Sequence, residues 1–501
     1  MWLTLGSDVL RYGLWVVSWV VIDRGVGTDV FEVFARATGG RALWVAGLRR
    51  GISAEYRFAD PAPMGEDCCV LNVFTPDLEA MARRPVMVYL HGGSYTVGSG
   101  GEPILEGSQL ARFGDVVVVT VNHRLNVFGY TSLGLLDERF PDAANAGQLD
   151  LIAALGWVRR NIAVFGGDPD NVTLFGQSGG GGKVMALMGM PAAKGLFHKA
   201  ISMSGPWHDV PVSNARPYVD ALLQALGIGP GDAERLQALP VEALLRARAT
   251  ALQTSRFDAA RPVIDGRHLP AAVMSPSGLG VHASVPLLMG TTATEATYYF
   301  TRDLRNFDVT AAQLKARIGR QYGLDDGDVD AVVAAYREDL PHAKPVDVLI
   351  AFAGDMRIRA PMLRAVMPKA DSGTAPVYLY HFGWKSAVEE GRWGSPHTAD
   401  IPFAFLNVDR ATSMTAGSPH AEAVARHLAG AFVAFARNGD PSTPSTPGWR
   451  PYRSADRQSM VIDTHCAAVE DLHRCSRQAA SRYEGVDGPT LDAGPLFNYG
   501  D

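Results

Sequence analysis

The sequence has little cysteine, no excess of positive charge and no apolar run long enough to cross a membrane. Four cysteines in 501 residues exclude a disulfide scaffold. A formal net charge of −6, with histidine counted as neutral, excludes the summed positive field of a nucleic-acid binder, so no nucleic-acid partner is expected. The one membrane or targeting candidate is Gly13–Ile22, GLWVVSWVVI, between Arg11 and Asp23-Arg24. As a helix it would rise ~15 Å, about half a hydrocarbon core, so no stable membrane insertion is expected. A signal-peptide core is the competing reading, yet only one arginine precedes it and no A-x-A cleavage site follows. A buried strand or helix is the plainer reading, and with it a cytoplasmic location; secretion is the alternative. Internal repeats are absent, and the only low-complexity stretch, Pro441–Gly448, reads as a surface loop.

What the sequence does have is a globular composition, 47% hydrophobic and 20% charged. After residue 85 strand-like and helix-like segments alternate. Val86–Leu90 and Val116–Val121 are continuous apolar runs, of the kind buried on both faces of a sheet. Gln148–Ile162 sets Leu151, Leu155, Val158 and Ile162 three or four apart, which is a helix face. Further strands are predicted at Val172–Phe175, Lys199–Met203, Val285–Met289 and Val377–Tyr380, and helices at Ala311–Tyr322, Val346–Val366 and Ala421–Arg437. Such alternation implies an α/β fold with a mostly parallel central sheet flanked by helices. Residues 205–280, rich in Ala, Pro and Leu, read as a helical, lid-like insertion.

Chemistry concentrates at Phe175–Gly180, FGQSGG, which follows a strand and precedes the helix-compatible Lys183–Met190. This is the G-x-S-x-G of a nucleophile elbow, in which a sharp turn strains the serine backbone and glycines let strand and helix approach. Alone the pattern is weak, with roughly 0.3 chance matches in a chain of this length; a Gly-rich turn with an idle serine is the alternative. His91-Gly92-Gly93-Ser94 directly follows the strand Val86–Leu90, where an oxyanion loop lies upstream of an elbow. By itself it is equally a tight turn, but in this order and setting the two motifs reinforce each other. Backbone N–H groups there would converge with that of Gly179 on the oxygen that turns negative during acyl transfer, each donor contributing about 3 kcal/mol. The run Gly179–Gly182 before Lys183 is no phosphate loop. Val184 stands where Ser or Thr would bind magnesium, and Gln177 where the first glycine should be.

The chain resembles the type-B carboxylesterases, the family of bacterial para-nitrobenzyl esterases, animal carboxylesterases and cholinesterases. The resemblance spans about residues 65–465. It is carried by Gly65–Pro76 (GEDCCVLNVFTP), Pro85–Gly100 (PVMVYLHGGSYTVGSG), Val121–Tyr130 (VNHRLNVFGY), Asn145–Val184, Lys194–Gly205 (KGLFHKAISMSG), Pro262–Gly266 (PVIDG), Gly290–Phe300 (GTTATEATYYF) and His397–Phe405 (HTADIPFAF). FGGDPDNVTLFGQSGG within it is highly specific. The resemblance implies an α/β-hydrolase fold, with a divergent N-terminal segment over residues 1–60 and one catalytic domain over 61–501. Helical insertions near 205–280 and 305–370 would form a lid or gorge. It places the nucleophile on Ser178, the orienting acid on Glu295 and the histidine on His397, in the chain order of α/β-hydrolases. The oxyanion donors fall on the N–H groups of Gly93, Ser94 and Gly179. Without the resemblance, Glu295 is one of 52 acidic residues and His397 one of 13 histidines.

The implied reaction is ester hydrolysis through a Ser178 acyl-enzyme, with no metal and no organic cofactor. Departures from the family narrow the substrate. Cholinesterases carry a glutamate where this chain has Gln177, and Gly51–Cys68 runs straight through where they carry a choline-stacking tryptophan loop. The expected partner is therefore a small-molecule substrate, an uncharged ester in an open gorge that also admits bulky alcohols, with Trp207, Tyr298 and Tyr299 as candidate pocket walls. Ser94 stands where Gly or Ala is usual, and its hydroxyl would crowd large acyl or tertiary-alcohol groups. Cys68 has no upstream cysteine to pair with, and a Cys68–Cys69 bond would be strained. His465, Cys466, His473 and Cys475 match no zinc-ligand spacing and read as an ordinary tail. A lipase or acyltransferase would need the same triad, whereas a non-catalytic binding protein on this fold would characteristically lack the nucleophile. Acyl and alcohol preference and the oligomeric state stay open.

Overall fold

The computed structural model describes residues 15–21, 67–205, 209–255, 259–301 and 303–483. They fall into two compact units: the first takes in described residues 15–21, 67–202 and 209–286, the second 203–205 and 287–483.

In the first unit the strands β1 (Trp15–Val21), β2 (Val70–Thr75), β3 (Arg84–Leu90), β4 (Val117–Val121), β5 (Gly167–Gln177) and β6 (Lys199–Met203) lie in the order β1-β2-β4-β3-β5-β6. β3 runs parallel to both β4 and β5, with Val88 aligned on Val119 and on Leu174. β1 and β4 each pair antiparallel with β2. Every residue of β3 and β4 is buried. Strands covered on both faces need apolar side chains at every position, which is why these two read as unbroken β-branched runs. The parallel pairs require crossovers: the short helix Ser108–Gly114 lies between β3 and β4, and α1 (Ala146–Asn161) between β4 and β5, while α2 (Gly179–Gly189) follows β5. α1 buries Leu151, Ala154, Leu155 and Val158, the face that its 3.6-residue period presents. After β6, α3 (Arg216–Leu226) and α4 (Val241–Ser255) share a core of Tyr218, Leu222, Leu223, Leu244, Ala247 and Ala251.

The second unit holds β7 (Leu287–Thr292), β8 (Val377–Phe382), β9 (Ser459–Ile462) and β10 (Ala467–Val469), in that order. β8 is parallel to β7 and to β9, while β10 turns back antiparallel. Its helices are α5 (Ala311–Tyr322), α6 (Asp326–Asp339), α7 (Pro345–Gly354), α8 (Ala360–Ser372), α9 (Pro419–Asn438) and α10 (Arg474–Ser481). α5 starts on a capping box between Thr310 and Gln313 and stops at Gly323, at φ 64°. Leu314, Ile318, Val332, Tyr336, Leu349 and Phe352 form the core that α5, α6 and α7 share.

The helix expected over 346–366 is interrupted. Residues Asp355–Arg359 form a π turn between α7 and α8. Pro361 has no N–H to give the Arg357 carbonyl one turn earlier, and the wider turn accommodates that loss. β5 begins at Gly167, ahead of the expected Val172, because Gly167 aligns with Arg84 at the start of β3. The apolar run at residues 13–22 contributes β1, a strand, and among the described residues no helix is long and apolar enough to cross a membrane.

Candidate active site

β5 ends at Gln177 and α2 starts at Gly179, which leaves Ser178 as the whole turn, at φ 57° and ψ −122°. That conformation costs a non-glycine residue about 1–3 kcal/mol and persists only where the surroundings over-determine it. Here crowding does so. A Cβ on Gly176 would stand 2.6 Å from the Gly180 carbonyl carbon and 2.7 Å from the Leu90 oxygen, and one on Gly179 would overlap the Ser94 backbone. The glycines around the serine therefore let the ends of β3 and β5 abut the first turn of α2. Ser178 is half-buried and Gln177 beside it is buried.

Past β3 the chain turns through His91–Ser94, with φ 85° at Gly93 and 57° at Ser94. A Cβ on Gly92 would lie 3.7 Å from Ser178 Cβ. The loop and the elbow are thus in contact, with the Ser94 backbone against Gly179 and Gly93 its chain neighbour. None of the N–H groups of Gly93, Ser94 and Gly179 donates to another group among the described residues. Three backbone donors beside Ser178 are thus left open to an acceptor that arrives there.

A buried charge supports this loop from below. Lys183 of α2 is fully buried, and its Nζ donates to the His91 carbonyl at 2.9 Å. Burial brings its pKa from 10.5 down to about 7, against the opposing pull of Glu102. The His91 and His123 rings stack at 5.3 Å, and burial together with the Lys183 charge holds both well below the usual histidine range. Neutral His91 lies with Nδ1 2.9 Å from the Gly92 carbonyl, which only a protonated Nδ1 can satisfy.

In the second unit, Glu295 follows β7 and His397 lies in the loop Ser395–Asp400. His397 Nδ1 is 2.6 Å from Glu295 Oε2, across 102 positions of sequence, and the His397 N–H donates to the Glu295 carbonyl at 3.2 Å. The other carboxylate oxygen, Oε1, accepts from the Ser204 hydroxyl at 2.6 Å and the Thr292 N–H at 2.8 Å. Side-chain exposures of 4% and 3% make this a desolvated pair, with two further donors on the second carboxylate oxygen. Donation from Nδ1 fixes the tautomer and makes Nε2 the basic nitrogen. Tyr298 meets the His397 ring edge-on at 5.8 Å and Tyr299 stacks on it at 6.1 Å. The Arg357 guanidinium, carried by the π turn, covers the Tyr299 ring at 4.1 Å.

The sequence-predicted residues thus gather in two sets. Ser178, Gly93, Ser94 and Gly179 belong to the first unit, and Glu295, His397, Tyr298 and Tyr299 to the second; Trp207 lies outside the described residues. Sequence reasoning did not single out Ser204, Thr292, Asp400 or Tyr380. Ser204, Thr292 and Asp400 each carried one signal, their places in the segments Lys194–Gly205, Gly290–Phe300 and His397–Phe405, while Tyr380 carried none. Asp400 is fully buried three residues after His397, accepts from the Tyr380 hydroxyl at 2.7 Å, and has its pKa pushed up to about 7 by burial and then by the Glu295 charge. Among the described residues no group of three or more His, Cys, Asp or Glu is arranged to hold a metal ion, and the four cysteines form no disulfide.

A family model described as the carboxylesterase family matches residues 49–479. The para-nitrobenzyl esterase of Bacillus subtilis (strain 168) is 34% identical over 422 residues, covering 82% of this chain and 82% of that protein. Among solved structures, a Geobacillus stearothermophilus carboxylesterase superposes with a TM-score of 0.75 at 30% identity, covering 94% of this chain and 97% of that one. An esterase of the anaerobe Clostridium hathewayi, described as able to hydrolyse aliphatic aromatic polyesters, superposes with a TM-score of 0.73 at 31% identity over 85% of each chain.

Proposed function

The chain belongs to the carboxylesterase family, with an α/β-hydrolase fold, and is a carboxylic ester hydrolase; on that premise we propose that it cleaves uncharged carboxylic esters through an acyl-enzyme on Ser178. His397 takes the Ser178 proton at Nε2 as the hydroxyl oxygen attacks the ester carbonyl. Glu295 holds the imidazole through Nδ1 and stabilises the imidazolium that forms. The carbonyl oxygen, now negative, accepts from the N–H groups of Gly93, Ser94 and Gly179. Collapse of this intermediate expels the alcohol, which takes the proton from His397. Water then repeats the sequence and releases the acid. The observation that carries the proposal is the strained Ser178 turn beside three unengaged N–H groups.

The side chains near the nucleophile support an uncharged substrate. Gln177, buried next to Ser178, brings no negative charge to hold a cationic alcohol. Tyr298 and Tyr299, packed on His397, are the aromatic walls we assign to the alcohol or acyl pocket. A chain-length series of p-nitrophenyl esters, together with acetates of small and bulky alcohols, tests the proposal on wild type and Ser178→Ala. Activity should persist on bulky alcohols and vanish in the variant. Undiminished hydrolysis by Ser178→Ala overturns the mechanism, and restriction to acetates of small alcohols overturns the open gorge.

A further inference from the structure

In the second unit a group of polar side chains on β8 and its neighbours has no part in the proposed chemistry. Successive side chains of a strand face opposite ways. Tyr380 turns its hydroxyl to Asp400, so His381 faces the other side of the sheet. On that side a small pocket open to solvent is lined by Arg359, His381, Tyr452, Arg457, Asp471 and Arg477, among others. The three arginines come from separate places: the π turn, the chain just before β9, and α10.

Their partners leave positive charge uncompensated. Asp471 holds Arg477 bidentately, at 2.6 Å to Nε and 2.9 Å to Nη2. Arg359 lies 3.5 Å from Asp355 and donates to the Leu472 carbonyl. Arg457 donates to the Tyr452 hydroxyl at 3.2 Å and the Met367 sulfur at 3.7 Å, and has no carboxylate partner among the described residues. A guanidinium cannot shed its proton to relieve that imbalance. His381 adds a second unmet demand. It is 8% exposed, and its Nδ1 is shut off from solvent with no hydrogen-bond partner. Burial, the His473 ring and the Arg359 charge keep the imidazole neutral, so it can give one N–H.

We propose that this pocket binds a small oxyanion of the phosphate or carboxylate kind, with Arg457 as its main anchor, Arg359 and Arg477 flanking it and the His381 imidazole as a further donor. A guanidinium fork matches two oxygens of such a group, and the ligand supplies the negative charge that the pocket lacks. The site faces away from Asp400 across β8, so occupancy reads out as stability of the fold and does not depend on the ester chemistry.

The test is thermal unfolding of the full chain in sodium phosphate, sulfate and acetate, each against sodium chloride at matched ionic strength. A saturable rise in Tm with an oxyanion and none with chloride is expected, and the three salts tell tetrahedral oxyanions from carboxylates. Arg457→Gln should weaken that binding about tenfold or more, with an unchanged near-UV spectrum reporting an intact fold. A rise of equal size in chloride, or an undiminished rise in Arg457→Gln, overturns the proposal. Should the variant not fold, calorimetric titration of wild type with inorganic phosphate and with acetate decides the matter. Saturable heat with either supports the site, and its absence with both overturns it.

Discussion

Replacing Lys183 with methionine should stabilise the protein, by an amount that shrinks as the pH rises. The lysine is fully buried with its amine on the His91 carbonyl, and burial lowers its pKa from 10.5 to about 7. Below pH 7 the folded and unfolded chains both carry the charge, and the full cost of burying it stands. Between about pH 7 and 10.5 the folded chain has shed a proton that the unfolded chain keeps, so wild-type stability climbs with pH through that window. At ~1.4 kcal/mol per pKa unit, the whole gap is on the order of 5 kcal/mol. Methionine removes that cost but leaves the His91 carbonyl without its donor, which costs about 1–3 kcal/mol. The net gain at pH 7 or below is a few kcal/mol. From pH 7 to 9 the wild type alone recovers about 2 kcal/mol, which for a chain of this length corresponds to ~2 °C in Tm. Scanning fluorimetry of both proteins at pH 6.5, 7, 8 and 9 reads this directly. The advantage of Lys183→Met should narrow by about that much between pH 7 and 9. A difference that holds constant or widens with pH refutes the reasoning.

Three more substitutions probe the site. Glu295→Gln removes the negative charge that orients and stabilises the His397 imidazolium, so kcat should fall about 10³-fold or more with KM little changed; a drop below tenfold contradicts the assigned role. Gly179→Ala puts a methyl group into the Ser94 backbone, so the loop must shift, and steady-state kinetics should register a loss of about 10²–10³ in kcat/KM. Asp400→Asn removes a carboxyl whose folded pKa of about 7 lies above its ordinary 3.8. The unfolded chain ionises first, so wild-type stability falls as pH rises through that range, and the Tm advantage of the variant should grow from pH 4 to 7 and then level off. An advantage of constant size across the range would contradict it.

How much of this was legible in the sequence depends on the range of the constraint. The Ser178 elbow and the Gly92-Gly93-Ser94 loop were readable because each is fixed by steric demands between near neighbours: only glycine fits at 176, 179 and 180 when Leu90 and Ser94 press on them. β3 and β4 were readable because burial on both faces leaves an unbroken apolar run. The pairing of Glu295 with His397 was not, since 102 positions separate them and neither residue's neighbours announce the contact; only the family resemblance picked them out. Asp400 and Ser204 were hidden for a further reason. A polar residue that is buried and finds its partner at long range looks, in one dimension, like any exposed loop residue. The π turn at Asp355–Arg359 has no signature in a 3.6-residue pattern beyond the proline that follows it. Yet that turn carries Arg357 to Tyr299 and Arg359 to the Leu472 carbonyl.

The central claim is that Ser178 is the nucleophile that carries the acyl group. Intact-mass analysis after reaction with diethyl p-nitrophenyl phosphate tests it most directly, because the phosphoryl adduct on an activated serine does not turn over readily. One diethylphosphoryl group per chain is expected, located on the peptide that contains Ser178, with esterase activity lost in step and no adduct on folded Ser178→Ala. An unmodified wild type, or an adduct that forms equally on the variant, would contradict it.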